Sequence, residues 1–161
     1  MNSVRTPGTE PAPTNRVDPA TLSGLELLRA HMAEPDPDRP GIWRLLGMDV
    51  RQLDEGIVSF AVTPQPDFAN PLGTVHGGIC ATLLDSAMGC AVHTTLPPGA
   101  GYTTLELKVN YIRPVAVDAG ELTGTGAVIH VGGRTATAEG KVFSADGKLV
   151  AHGSTTCMVF R

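Results

Sequence analysis

The sequence predicts an α+β domain in which a curled antiparallel sheet wraps one long central helix. Two observations carry that expectation. Residues 78–92 are helix-length and apolar, with Asp85 as the one fully charged side chain, so the segment lacks the polar stripe of a surface helix. Beyond it the chain is almost wholly strand-like and punctuated by short glycine turns, and antiparallel strands following a single buried helix are the mark of an α+β domain.

The elements follow in order. Residues 1–20 are rich in Pro, Thr and Asn and nearly free of large apolar side chains, which reads as a disordered tail ahead of one domain over 21–161. Leu22, Leu25, Leu28 and Met32 recur at helical spacing, and Pro35, Pro37 and Pro40 end that short helix. A further turn spans Ile42 to Leu46, closed by Gly47, where Trp43 packs over the sheet edge. Residues 48–53 and 57–63 read as strands around the turn Asp54-Glu55-Gly56. Asn70-Pro71 and Leu72-Gly73 are turn signals that lead through Gly77-Gly78 into the helix. In 102–111, Leu105, Leu107 and Val109 alternate with Glu106, Lys108 and Asn110, the period of a half-buried strand. Three more strands cover 121–130, 134–144 and 149–160, giving the order β-β-α-β-β-β-β.

Composition narrows the function. A chain of 161 residues holds one core, and a net charge of −4 argues against a general nucleic-acid binder. The three cysteines, Cys80, Cys90 and Cys157, form no C-x-x-C pair and suit small buried hydrophobes in a reducing cytoplasm. No stretch of ~18 apolar residues and no apolar leader suggests a membrane span or signal peptide. The five histidines are scattered without metal-ligand spacing, and Gly124-x-Gly126 lies mid-strand, where it opens no nucleotide-binding helix.

Asp85 is the informative residue. A carboxylate among apolar neighbours is costly unless paired, bonded or wetted, so it either sits at a helix edge with water or serves as a base or nucleophile. The complementary group is the helix N-terminus, where His76 and the N–H groups of Gly77 and Gly78 read as unpaired donors at the positive end of the dipole. Gly77 and Asp85 are separated by ~12 Å of helix axis. One carbonyl spans no such gap, so a shared role requires two antiparallel helices related by a two-fold axis, and hence a dimer.

Asn70, Gly73, His76-Gly77-Gly78 and Asp85, followed by Asn110-Tyr111-Ile112-Arg113-Pro114 and Gly133-Arg134, resemble the hotdog-fold acyl-CoA thioesterases of the phenylacetate-degradation type, a group that includes the Arthrobacter-type 4-hydroxybenzoyl-CoA enzymes. The most specific part is Asn-x5-His-Gly-Gly with an acidic residue eight positions after the first of those glycines. The resemblance implies a hotdog fold, a homodimer with a continuous sheet and active sites shared between subunits, and assembly into a homotetramer. It implies hydrolysis of acyl-CoA, with an aromatic or medium-chain acyl group, without metal or cofactor. It makes Asp85 the acidic catalyst, the Gly77 N–H the oxyanion donor and Asn70 a placer of water or thioester. Thr103 or Thr104 falls where a water-binding hydroxyl is found, and His76 adjoins the site. The Arthrobacter-type enzymes carry Glu at the acidic position, so Asp85 fits the wider group better. Coenzyme A needs cations, and of Lys108, Arg113, Arg134 and Lys141 the resemblance favours Arg113 and Arg134, with Gly78 beside the substrate. Two other readings compete: a hotdog hydratase or dehydratase using His76, and a non-catalytic acyl-CoA-binding regulator, for which no DNA-binding segment is evident.

Overall fold

The computed structural model describes residues 18, 20–33 and 40–160, so the tail expected over 1–20 lies almost wholly outside the described residues. The elements are α1 (Gly24–Ala33), α2 (Ile42–Leu46), β1 (Met48–Asp54), β2 (Ile57–Val62), a 3₁₀ turn (Pro66–Phe68), α3 (Gly77–Thr94), β3 (Gly101–Tyr111), β4 (Leu122–Val131), β5 (Thr135–Phe143) and β6 (Leu149–Phe160). All strand pairs are antiparallel, in one six-stranded sheet of order β1-β2-β4-β5-β6-β3. The sheet curls around α3, which is the hotdog architecture. β1 and β3 are its edges.

Burial explains why α3 sits at the centre. Leu83, Leu84, Ala87, Met88, Ala91 and Val92 are all fully buried, each large side chain contributing about 1.5–3 kcal/mol of transfer free energy. The sheet meets them with Val58, Phe60, Leu122, Ala138 and Val142. The mid-strand glycines of β4 let the helix approach: a methyl group at Gly126 would stand 2.5 Å from the Ala87 carbonyl carbon, and one at Gly124 would meet Leu83 Cγ at 2.6 Å. Their spacing is thus a packing feature. The wrap is incomplete, however. Gly78, Ala81, Thr82, Asp85 and Ser86 remain half-exposed along one strip of α3, the face that a single curled sheet leaves open.

In α2, Trp43 joins the sheet to the central helix. The Trp43 ring lies 4.6 Å from that of Phe60, and its indole N–H donates to Ser86 Oγ at 3.2 Å. Gly47 ends α2 in the left-handed conformation.

One expectation needs correction. Leu105 is 58% exposed, because the β3 to β6 register shifts between Thr104 and Glu106. A bulge adds one residue and reverses the alternation. Tyr102 and Thr104 face the helix before it, Leu107, Val109 and Tyr111 after it, opposite the buried residues Val159, Cys157, Thr155, Gly153 and Ala151.

Candidate active site

The loop before α3 is strapped at several points. Asn70 Oδ1 accepts from the N–H groups of Leu72 (2.9 Å) and Thr74 (3.2 Å), while its Nδ2 donates to Thr74 Oγ1 at 2.9 Å. The Asn70 N–H also donates to the Thr74 carbonyl, and the Val75 N–H to Val115. Most of the Asn70 amide is therefore spent on shaping the loop. Gly73 takes φ 79°, a conformation that favours glycine.

At the helix start the expected free donors separate. His76 is the N-cap, in extended conformation, and its Nδ1 accepts from the Gly78 N–H at 2.9 Å. An accepting Nδ1 places the ring proton on Nε2, so His76 is a cap and the Gly78 N–H is not free, contrary to the sequence expectation. The Ile79 N–H bonds to the His76 carbonyl at 3.0 Å. The Gly77 N–H has no partner among the described residues. It stands at the positive end of an 18-residue helix, beside a cavity of about 280 Å³ lined by Asn70, Gly77, Cys80, Tyr111 and Arg113.

Asp85 lies two turns further along α3, half-exposed on the open strip, and its Oδ1 accepts from Thr104 Oγ1 at 2.9 Å. Of the two candidate hydroxyls, Thr104 thus faces Asp85; Thr103 is exposed on the opposite face of β3, paired with Met158. Tyr102 and Cys157 flank the carboxylate, and burial raises the pKa of both, with the charge of Asp85 a smaller contribution in the same direction. Burial likewise pushes Cys80 up to about 11 and Cys90 up to about 12, so neither is a ready thiolate at neutral pH.

The cations fall in different places. Arg113 donates to the Leu149 carbonyl and borders both the Gly77 cavity and a second of about 620 Å³ that reaches Lys148. Arg113, Pro114, Val115 and Val150 line both cavities. Arg134, in the β4–β5 turn, takes the Val159 N–H on its carbonyl and belongs with the Thr103 end of β3, so one chain does not bring Arg113 and Arg134 together. Lys108 and Lys141 are exposed on the convex face of the sheet.

A capped helix N-terminus whose Gly77 amide has no partner among the described residues, and a carboxylate further along the same helix, are the two parts that acyl transfer to water needs. The chain belongs to the thioesterase superfamily, whose family model matches residues 72–151. It is 35% identical over 107 residues to a provisionally named esterase of Halobacterium salinarum, covering 63% of this chain and 69% of that protein. It is 26% identical over 121 residues to 1,4-dihydroxy-2-naphthoyl-CoA hydrolase of Listeria monocytogenes, covering 74% and 95%. Among solved structures, a phenylacetic acid degradation-related protein of Ralstonia eutropha superposes with a TM-score of 0.71 at 32% identity, covering 80% of this chain and 97% of that one. The protein is a thioester hydrolase of the hotdog fold, similar to the phenylacetate-degradation type.

Proposed function

We propose that the protein hydrolyses acyl-CoA thioesters with an aromatic or medium-chain acyl group, using Asp85 as general base and the Gly77 N–H as oxyanion donor. The observation that carries this reading is the Gly77 N–H at the start of α3, which has no partner among the described residues while its neighbour at Gly78 is capped. Asp85 takes a proton from water, whose oxygen bonds to the thioester carbonyl carbon; the carbonyl oxygen becomes an oxyanion on the Gly77 N–H. The C–S bond then breaks, the thiolate recovers the proton from Asp85, and carboxylic acid and CoA leave. Direct attack by Asp85 is the second route, and solvent ¹⁸O appearing in Asp85 after a single turnover would mark it.

The site is divided between two subunits. Eight residues of helix, ~12 Å, separate Gly77 from Asp85, and the two residues contact opposite ends of β3, Tyr111 and Thr104. β3 is a long edge strand, and pairing it with its copy about a two-fold axis doubles the sheet and runs the two α3 helices antiparallel. The open strip of α3 then faces the partner, and further association gives a homotetramer. Arg113 in the cavity beside Gly77 meets the CoA phosphates, and Arg134 approaches from the opposite subunit. A cytoplasmic setting suits three buried free thiols.

The His76 cap weighs against the hydratase reading, since Nδ1 accepts from the backbone and Nε2 carries the ring proton, which leaves the neutral ring no free lone pair with which to take a proton. The test is thiol release across aromatic, short, medium and long acyl-CoAs, with Asp85→Asn as control. The expected result is hydrolysis by the wild type and a kcat lower by about 10²-fold or more in the variant. Near-wild-type turnover by folded Asp85→Asn contradicts the assignment.

A further inference from the structure

Tyr111, the last residue of β3, makes two contacts that converge on Gly77. Its hydroxyl donates to the Gly77 carbonyl oxygen at 3.1 Å. Its ring lies so close that a methyl group on Gly77 would stand 3.0 Å from Cζ and 3.1 Å from Cε1. Tyr111 also walls the cavity beside that residue. Gly77 is not among the residues with positive φ, so its backbone conformation is open to any L-residue. The tyrosine ring is what crowds that position: a side chain at Gly77 would require the ring to shift by a few tenths of an ångström.

The consequence concerns order. Glycine is the residue with the most backbone freedom, and helix ends are where intrahelical bonds run out. An oxyanion donor must nonetheless be held in place before the charge forms. We propose that Tyr111 is the positioning residue for the oxyanion donor: its hydroxyl holds the Gly77–Gly78 peptide unit and its ring confines the Gly77 α-carbon, while the Ile79 N–H on the His76 carbonyl holds the peptide unit that carries the Gly77 N–H. This rests on the assignment of that N–H to the oxyanion. His76 restrains the same turn from the other side, through Gly78. Tyr111 thus couples the end of β3 to the start of α3 across 34 residues of sequence. Burial moves its phenol above the ordinary value, so it remains a donor through the neutral range.

Two variants and two readouts test the clamp. Tyr111→Phe keeps the ring and removes the donor. It is expected to lower kcat roughly three- to tenfold, the worth of one net hydrogen bond, with KM within about twofold, and to speed amide hydrogen exchange in the first turn of α3. Gly77→Ala is expected to push the ring off its place and lower the melting temperature. Adding Tyr111→Ala, which removes the ring, should recover part of that loss, a coupling that distant residues do not show. A raised KM at unchanged kcat in Tyr111→Phe, or unchanged exchange, or strictly additive melting temperatures, overturns the clamp. Should the wild type release no thiol from any acyl-CoA, the catalytic reading fails, while exchange and thermal coupling still decide whether Tyr111 holds Gly77.

Discussion

Thr104 Oγ1 donates to Asp85 Oδ1 at 2.9 Å, tying the middle of α3 to β3 just before its bulge. The bond leaves Oδ2 of Asp85 for water and fixes the carboxylate's rotation. Thr104→Val, which keeps the shape and loses the donor, is expected to lower kcat by about tenfold, with Thr104→Ser retaining most of it. Steady-state thiol release measures this, and an undiminished kcat in Thr104→Val means that the hydroxyl plays no part.

His76 separates hydrolysis from hydratase chemistry. Asn is among the best N-cap residues, so His76→Asn preserves an acceptor for the Gly78 N–H while removing the imidazole. Thiol release is expected to stay within a few-fold of wild type, and His76→Ala to lose about 0.5–2 kcal/mol of stability in denaturant unfolding. A collapse of activity in folded His76→Asn would make the ring a proton carrier.

Gly126 is a test of the packing. Its missing side chain admits the α3 backbone at Ala87 and Met88, and backbone gives way far less readily than a flexible side chain. Gly126→Ala is expected to destabilise by about 1–3 kcal/mol or more, read as a lower denaturant midpoint. An unchanged midpoint means that the helix can ride higher on the sheet.

How much of this could be read from the chain differs by kind of residue. The central helix and the sequence of elements along the chain were legible because apolar runs, alternation and glycine turns are local signals. The observed ends of β4, β5 and β6 fall within a residue or so of the expected ones. The register of β3 was not legible: nothing in Thr104-Leu105-Glu106 announces a bulge, which arises from how β3 must bend against β6. Asp85 stood out as the one charge in an apolar helix, but its choice of Thr104 over Thr103 depends on which face of β3 turns inward. The cap on Gly78 had a local signal in His76 immediately before the two glycines, since an N-cap acceptor satisfies the second or third helical amide. The contact of Tyr111 with Gly77 had none, because it joins elements far apart in sequence. Arg113 and Arg134 looked equivalent as strand-end cations and lie toward opposite ends of β3.

Heterodimer complementation tests the shared site most directly. Chains carrying Asp85→Asn are refolded with differently tagged chains carrying Asn70→Ala, which loosens the loop that presents Gly77, and mixed dimers are isolated through both tags. If Gly77 of one subunit works with Asp85 of the other, each mixed dimer holds one site built from two unmutated halves, and thiol release returns to a fraction of the wild-type rate. Verified heterodimers that stay as inactive as either parent would place both halves of the site in one chain and contradict the account.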